Sequence, residues 1–298
     1  MKLTNRLRLP DVMVRAVSND SYTKGNADIS VTELLSPPQL RALRLKHGAE
    51  IEEDVSDRMW SLLGQSTHHI IERAGLQSLS SVNEVTVMAE YAGWKLKGQA
   101  DHVALDEGTL YDFKVTSVWK VRDNIPAPEW VQQTNIYRRL LQREVGLSIE
   151  AIAIIAILRD WSKNEAGRTS GYPQAQVVRL DIPLWGEAYT DAFIEERLRL
   201  HQAADPAPCS DADRWVKPSK YAVMKRGAQR AVRLFDTAQE AEELASSSAA
   251  MYVEYRPGEA VRCQNWCPVS RWCSQWQADP RNTTQTQSTT ESLFDAKV

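Results

Sequence analysis

Residues 149–158 (IEAIAIIAIL) are apolar at every position but one. A strand that is apolar on both faces has to be covered on both faces, so it belongs inside a sheet flanked by helices. The patterns on either side predict the remaining elements, since helices repeat every 3.6 residues and strands alternate. In chain order they are a helix over 51–74, strands over 84–91, 94–105 and 109–117, a helix over 129–144, the strand 149–158, a strand over 176–184 and a helix over 187–203. This order predicts an α/β (α+β) fold with a mixed sheet flanked by helices.

The size and charge of the chain limit its class. Its 298 residues allow one large domain or a core with a smaller module. A formal net charge of -3 argues against a uniformly basic protein but allows a local basic groove. The longest apolar run, residues 151–158, is far shorter than the roughly 20 residues that cross a bilayer. Residues 1–17 lack the apolar core of a signal peptide. We therefore expect a cytoplasmic protein with no membrane partner.

Changes in composition predict four segments. Residues 1–29 are polar and irregular, and residues 30–204 carry the sheet and helix patterns. A second module, residues 205–277, contains a basic hairpin and clustered cysteines. Residues 278–298 are rich in Thr, Gln, Ser and Asn, a composition typical of a disordered tail.

Three charged residues share one predicted hairpin. Alternation on a strand puts Asp112 and Lys114 on one face and Phe113 on the other. If residues 107–108 form a two-residue turn, Asp101 lies opposite Lys114 and diagonal to Asp112. A three-residue turn would instead place Asp101 opposite Phe113. The first geometry brings the three charges together on one side of the sheet.

Two carboxylates at this separation repel each other unless a positive charge lies between them. Lys114 could supply that charge, and so could Mg²⁺, which binds one or two carboxylates together with water and phosphate oxygens. A surface hairpin with an ordinary salt bridge is the alternative. The triplet alone is weak evidence, since the tail has a second one at Asp295-Ala296-Lys297.

Three motifs in chain order strengthen the first interpretation. They are Gly64-Gln-Ser-Thr-His68 with Glu72, then residues 98–101 (GQAD) with residues 111–114 (YDFK), then Gln133-Thr-Asn-Ile-Tyr137. Together they resemble the core of the PD-(D/E)xK nuclease superfamily, and in particular its RecB-like exonuclease branch. That branch includes AddB-type and CRISPR-associated iron–sulfur nucleases, and the chain could be phage-encoded. The superfamily has an αβββαβ core, which agrees with the predicted order over residues 30–160.

The resemblance implies a role for each matching residue. Asp101 and Asp112 would be the carboxylate ligands of Mg²⁺ or Mn²⁺, and Lys114 would position the attacking water. His68 would bind the metal or the scissile phosphate, with His69 as the alternative one residue away. The remaining implied site residues are Gln133 and Tyr137, which would support the site or hold DNA, and Glu90 as a tentative further ligand.

Four cysteines form a second candidate site. Cys263, Cys267 and Cys273 have C-x3-C-x5-C spacing, and Cys209 is a remote fourth. Four thiolates can hold a 4Fe–4S cluster or Zn²⁺. The RecB-like resemblance favours the cluster, although its distant cysteine normally precedes the nuclease core and Cys209 follows it. Zinc, or cysteines without a ligand, are the alternatives.

A basic segment is the candidate DNA-binding surface. Residues 214–233 contain seven basic side chains and no acidic one. A phosphate backbone could lie along them, although a solvated hairpin face is the alternative. The seven residues are Arg214, Lys217, Lys220, Lys225, Arg226, Arg230 and Arg233.

The tail contains a candidate partner motif. Thr290-Glu-Ser292-Leu293-Phe294 resembles the bacterial peptide that binds the sliding clamp, with threonine where glutamine is the ideal residue. A tethered enzyme would then act on replicating DNA.

The resemblance implies a Mg²⁺- or Mn²⁺-dependent deoxyribonuclease in a bacterium or phage-infected cell. We expect an exonuclease of recombination, replication or repair, because the chain shows no separate module for reading bases. A recombination partner protein is possible in that setting. The alternative is a catalytically inactive or partner-dependent DNA-binding subunit of a larger nuclease or of a CRISPR-adaptation complex.

Overall fold

The computed structural model of the chain describes residues 2–18, 24–75 and 80–283. The chain forms two compact units. The first unit comprises Met1–Pro38 and Glu52–Pro206, and the second comprises Gln39–Ile51 and Ala207–Val298.

Residues 39–51 differ from the prediction, which placed them in the nuclease core. Leu40 and Ile51 pack with Val269 in one buried cluster of the second unit, so apolar packing assigns the segment to that unit. This long-range contact could not be inferred from local pattern.

A six-stranded mixed sheet forms the centre of the first unit. Five of its strands are neighbours in the order β2-β5-β6-β7-β8, and the sixth, β4, pairs with β5 outside this order. The strands are β2 (Ile29–Ser30), β4 (Ser81–Tyr91), β5 (Trp94–Ala104), β6 (Thr109–Thr116), β7 (Ala151–Leu158) and β8 (Val177–Asp181). The helices of this unit are α1 (Asp11–Ser18), α2 (Val31–Leu35), α4 (Met59–Gly75), α5 (Pro128–Leu140), α6 (Lys163–Ala166) and α7 (Glu187–Gln202).

Strand β7 confirms the interpretation of the apolar run. It pairs in parallel with β6 and antiparallel with β8; Ile152 and Ile154 on one face are 2% and 0% exposed, and Ala153 on the other face is 0% exposed. The mixed sheet with flanking helices confirms the predicted fold class.

Strand β5 is shared between two partners along one edge. Residues Leu96 and Lys97 pair with β2, whereas residues 102–104 pair with β6. Residues 98–101 lie between these two ladders. Strands β5 and β6 therefore separate at the GQAD motif. Such a split leaves a crevice where side chains of β5 and β6 can meet.

The register of the hairpin β5–β6 differs from the predicted one. Ala104 pairs with Thr109, so the connection has four residues, 105–108, and not two. Continued by one step, this register puts Asp101 opposite Asp112, and the predicted pairing of Asp101 with Lys114 is wrong. A shift of two residues preserves the face, because side chains alternate with period two.

The N-terminal segment is also more regular than predicted. Strand β1 (Lys2–Thr4) pairs in parallel with β3 (Glu52–Asp54), and α1 follows. Asp54 is buried and accepts hydrogen bonds from the Thr4 hydroxyl at 2.7 Å and the Arg6 amide at 2.8 Å. A long-range carboxylate contact therefore holds the start of the chain beside β3, which corrects the prediction of an irregular segment for residues 2–18.

The second unit combines a small sheet with short helices. Strands β10 (Lys220–Lys225), β11 (Arg233–Phe235) and β12 (Met251–Arg256) form a sheet in the order β11-β10-β12, and β9 (Val216–Lys217) pairs with β13 (Glu259–Ala260). The helices are α3 (Pro38–His47, from residue 39 onward), α8 (Asp211–Arg214), α9 (Ala238–Ala245), α10 (Val261–Asn265), α11 (Ser274–Gln277) and α12 (Pro280–Thr283).

Helix α12 lies within the predicted disordered tail, so order extends beyond residue 277. The Asp279 carboxylate holds this region by accepting hydrogen bonds from the Arg281 amide and guanidinium at 2.9 and 2.7 Å. The clamp-like motif 290–294 lies outside the described residues. Within those residues, no helix is long and apolar enough to cross a membrane.

Candidate active site and cysteine site

Strand β6 places two charged groups side by side. Asp112 is buried at 1% exposure, and Lys114 Nζ lies 2.6 Å from its Oδ2. Within the described part of the chain, Asp112 Oδ1 has no hydrogen-bond partner. A buried carboxylate oxygen without a partner is costly, so this atom is a candidate ligand for a cation.

The second carboxylate comes from β5, where the two strands separate. Asp101 Oδ2 accepts a hydrogen bond of 2.8 Å from the backbone amide of Phe113. The side chain thus takes a backbone donor that a ladder partner would otherwise use. Burial and the nearby charge of Asp112 raise the pKa of Asp101 to about 7.

Glu84 is a third acid at the site, and sequence analysis missed it. It lies on β4, whose register with β5 (Asn83 with His102, Val85 with Ala100) puts residue 84 opposite Asp101. Its φ of 48° is in the left-handed region, which is uncommon for a residue other than glycine. Gln99 Nε2 donates to its Oε2 at 2.5 Å, so the carboxylate is held in place.

The tentative ligand Glu90 does not lie at this site. It pairs with Lys95 six residues further along β4, about 20 Å from Glu84 at the rise of a strand. A sequence signal for Glu84 did exist. Residues Ala92 and Gly93, both with positive φ, make a two-residue turn between Tyr91 and Trp94, and counting back from that turn pairs residue 84 with 101.

Helix α4 brings His68 to the acids. Its Nδ1 lies 3.4 Å from Asp101 Oδ2 and 3.9 Å from Glu84 Oε1. His69 is 76% exposed and contacts Glu72 at 3.6 Å, so the geometry selects His68 of the two candidates. The Glu84 carboxylate raises the pKa of His68 more than burial lowers it, and the same contact lowers the pKa of Glu84.

Lys114 is held charged within this group of acids. Burial lowers the pKa of its ammonium, but the charges of Asp112 and Asp101 more than offset this, and the net pKa is raised. Lys114 is therefore a permanent cation at neutral pH, suited to stabilising negative charge beside it.

The residues present fit a divalent cation. Ligand atoms of His68, Glu84 and Asp101 all lie within 4.8 Å of one another, and Asp112, outside this group, lies opposite Asp101 in the strand register with an Oδ1 that is unpartnered among the described residues. Carboxylate oxygens are the ligands that Mg²⁺ and Mn²⁺ prefer. A cation here would also relieve the repulsion that raises the pKa of Asp101.

Gln133 and Tyr137 pair with each other. The Gln133 amide donates to the Tyr137 hydroxyl at 2.8 Å, one helical turn along α5. Tyr137 and Leu140 lie so close to β5 that a Cβ on Gly98 would come within 2.8 Å of Leu140 and 3.2 Å of Tyr137. The glycine of the GQAD motif therefore allows α5 to pack on this strand. Tyr137 also borders a cavity of about 200 Å³ together with Gln99, the residue that holds Glu84.

The four cysteines lie together in the second unit. They are free thiols that line one cavity beside α3 and α11, and Cys273 is buried at 8% exposure. Gln275 links the remote Cys209 to this group, accepting from its amide at 2.9 Å and donating to its carbonyl at 2.8 Å. Burial, the Asp213 carboxylate and the other three cysteines raise the pKa of Cys209 to about 12. Four thiolates therefore need a cation among them to stay charged together.

The seven predicted DNA-binding residues fall into two classes. Arg214 is buried and forms an ion pair with Asp279, so its assignment to a DNA surface is a correction. Contacts with Asp279 and Cys263 raise its pKa although burial lowers it, and such a cation stabilises a neighbouring thiolate. Lys217 contacts Glu259 at 3.1 Å, and Lys220 contacts Asp236. The other class is exposed and forms no ion pair among the described residues: Lys225, Arg226, Arg230 and Arg233.

The comparisons with known proteins agree with the geometry of the first unit. Residues 30–274 match the model of the PD-(D/E)XK nuclease superfamily. This match covers well over half of the chain, and the chain belongs to that superfamily.

The chain is also similar to a solved structure described as "Crystal structure of SSO0001". The two align at 17% identity and a TM-score of 0.47 over 68% of this chain and 90% of that one. A likeness at this level carries no argument about function. No curated protein matches the chain.

Proposed function

We propose that the protein is a Mg²⁺- or Mn²⁺-dependent deoxyribonuclease that hydrolyses DNA phosphodiesters with water. The observation that carries the proposal is the cluster of His68, Glu84 and Asp101 next to the buried pair of Asp112 and Lys114. Several acids and one permanent cation in a crevice of the sheet make a site for a metal ion and a phosphate. Such a cluster of charges contributes little to the packing of the chain.

The residues would divide the chemistry among them. Glu84, Asp101 and Asp112 would hold the cation. When bound, that ion lowers the pKa of water and polarises the scissile phosphate. Lys114, at 2.6 Å from Asp112, would orient the water and stabilise the charge that develops on the phosphate oxygens. His68, with its raised pKa, would donate a hydrogen bond to a phosphate oxygen or complete the ligand set.

Gln133 and Tyr137 would act as positioning residues. The Gln133 amide donates to the Tyr137 hydroxyl, and Tyr137 would fix the distance between α5 and β5 through its close approach to Gly98.

We further propose an exonuclease of recombination, replication or repair. The exposed basic residues of the second unit, Lys225, Arg226, Arg230 and Arg233, support contact with a phosphate backbone. We also propose a cytoplasmic location, a recombination partner protein, and binding of residues 292–294 to the sliding clamp.

For the cysteine site we propose a 4Fe–4S cluster, with Zn²⁺ as the alternative. The spacing of Cys263, Cys267 and Cys273, with Cys209 as a remote fourth, supports the cluster through its resemblance to RecB-like nucleases. An absorption spectrum of anaerobically purified protein distinguishes the two, because the cluster absorbs in the visible region and zinc does not.

The test of the nuclease proposal is cleavage of end-labelled linear duplex, single-stranded and closed circular DNA in Mg²⁺, Mn²⁺ or EDTA. We expect metal-dependent loss of the linear substrates with the native protein and with Asp106→Asn, a change in the exposed turn 105–108. Asp112→Asn should be inactive. Nicking of the circle would make the enzyme an endonuclease. Retained DNA binding with no cleavage by any form would instead favour an inactive or partner-dependent subunit.

A further inference from the structure

An exposed aromatic residue lies beside an exposed cation at one end of the catalytic strands. Trp60, in the first turn of α4, is 61% exposed, and the Arg159 guanidinium stacks over its ring at 4.5 Å. Arg159 is exposed and, within the described residues, forms no ion pair. Neither packing nor charge neutralisation inside the chain accounts for this arrangement, because the indole and the guanidinium both face solvent.

The pair is close to the site along the sheet. Arg159 directly follows β7, and its amide donates to the carbonyl of Thr116 at 3.0 Å. Thr116 is two residues beyond Lys114 on β6, a separation of about 7 Å at the rise of a strand.

The pair is also connected to the site along α4. Trp60, Gly64 and His68 are spaced four residues apart, so they follow one face of the helix over about 12 Å. A Cβ on Gly64 would meet no atom within 4 Å, so packing does not require a glycine there. The glycine leaves an open stretch of helix backbone between the indole and His68.

We infer that Trp60 and Arg159 form a subsite for a single-stranded nucleotide. Trp60 stacks on a base, Arg159 binds the adjoining phosphate, and the strand passes over Gly64 toward His68. This inference rests on the proposed nuclease function and deepens it. At about 3.4 Å per stacked nucleotide, a distance of 7–12 Å places the subsite two to four nucleotides from the scissile phosphate.

The chemistry selects a single strand over a duplex. Inside a duplex both faces of each base are covered by neighbouring bases, so an indole reaches a base only in a single strand, at a frayed end or on the outer face of a terminal pair. Stacking is tolerant of sequence because every base has a π face. The subsite therefore favours unpaired strands of any sequence near an end.

The experiment measures fluorescence anisotropy of labelled single-stranded and blunt duplex oligonucleotides with Ca²⁺ in the Asp112→Asn background. Added Trp60→Ala should weaken single-strand binding roughly 5- to 150-fold, with Trp60→Phe intermediate. Arg159→Ala should weaken it and reduce the salt slope by about 0.7. Gly64→Ala should weaken binding while raising Tm. Tyr189→Ala, which removes a ring of 58% exposure from α7, should leave single-strand binding unchanged.

Equal binding by Trp60→Ala and its parent, or equal weakening on both oligonucleotides, would overturn the subsite. The two proposals fail separately. If the native protein cleaves nothing but Trp60→Ala still binds single strands poorly, the nuclease proposal fails and the subsite stands. If the native protein cleaves DNA and Trp60→Ala binds single strands as its parent does, the nuclease proposal stands and the subsite fails.

Discussion

The carboxylate site of the first unit and the cysteine site of the second unit are built by different means. Asp112 and Lys114 stand on β6, which pairs with β7 along its full length, so ladder hydrogen bonds hold their backbone. Cys263 stands on the five-residue helix α10, the other three cysteines stand on loops, and a glutamine side chain holds the backbone of Cys209.

The difference indicates where each site obtains its order. A paired strand persists without a ligand, so it can hold acids close together and keep the pKa of Asp101 raised. Loops and one-turn helices have little stability by themselves, so the metal or cluster proposed for the thiol-lined cavity would stabilise this region. Changes at the first site should therefore remove chemistry, and changes at the second should remove stability.

The largest expected effect is the loss of cleavage in Asp112→Asn. The substitution removes a charged ligand oxygen and the partner of Lys114, so we expect the rate to fall by at least about 10³-fold. The far-UV circular dichroism spectrum should not change. A variant that stays active would show that Asp112 is no ligand, and one that unfolds would break the contrast between the two sites.

Cys273→Ser should lower the stability of the protein, in contrast to Asp112→Asn, which should lower only its activity. Loss of one ligand of a structural metal or cluster should lower the free energy of unfolding by several kcal/mol, on the order of 5–15 °C in Tm. Calorimetry of holoprotein, with bound metal measured in parallel, tests this. Ser274→Ala, an exposed neighbour, is the matched control. Full metal content and unchanged Tm in Cys273→Ser would count against the cysteine site.

Adjacent histidines sharpen the comparison within the first site. His68→Ala should reduce the cleavage rate roughly 10- to 100-fold, because it removes the ring beside Asp101 and Glu84. His69→Ala should leave the rate near that of the native protein, since His69 is 76% exposed and contacts Glu72. Steady-state rates of both variants on the same linear substrate decide the point, and equal losses would contradict the assignment.

The smallest expected effect is a pH dependence of stability in the metal-free protein. Asp101 has a folded pKa of about 7 against 3.8 for its ordinary value, so between these values the folded state holds a proton that the unfolded state has lost. Stability should therefore fall as pH rises through this window. The raised pKa of His68 also makes stability fall as pH rises. The lowered pKa values of Asp54 and Asp279 have the opposite effect, because they make stability fall as pH drops below 3.8.

Urea unfolding of metal-free protein between pH 5 and 8 measures this dependence. Asp101→Asn should flatten it, and Mg²⁺ at pH 7.5 should stabilise the native protein more than the variant. Parallel curves for the two proteins would show that Asp101 does not titrate in this range.

Local pattern was sufficient for much of the fold and for part of the site. The predicted strand over 109–117 and helix over 129–144 correspond to β6 and to α5 with its terminal turn. Strand alternation put Asp112 and Lys114 on one face, and the structure brings them to 2.6 Å. Such relations depend only on neighbours along the chain, where the period of the backbone decides direction.

Relations between distant segments were harder to predict. Glu84 was missed and Glu90 preferred because the choice depends on the register of β4 with β5 and on the short turn at residues 92–93. Arg214 looked like a surface cation, yet its partner Asp279 lies 65 residues away. From sequence alone a charged residue is predicted to be exposed, because its ion-pair partner is not yet known.

The sequence by itself determined the fold class, through an apolar strand that only a covered sheet can hold, and the residues whose spacing marks the superfamily. Tertiary structure alone decided that Glu84 joins Asp101 and that Gln275 brings Cys209 to the other cysteines. The physical reason is that periodicity acts over a few residues. Register and long-range hydrogen bonds depend on the free energy of the whole packed chain.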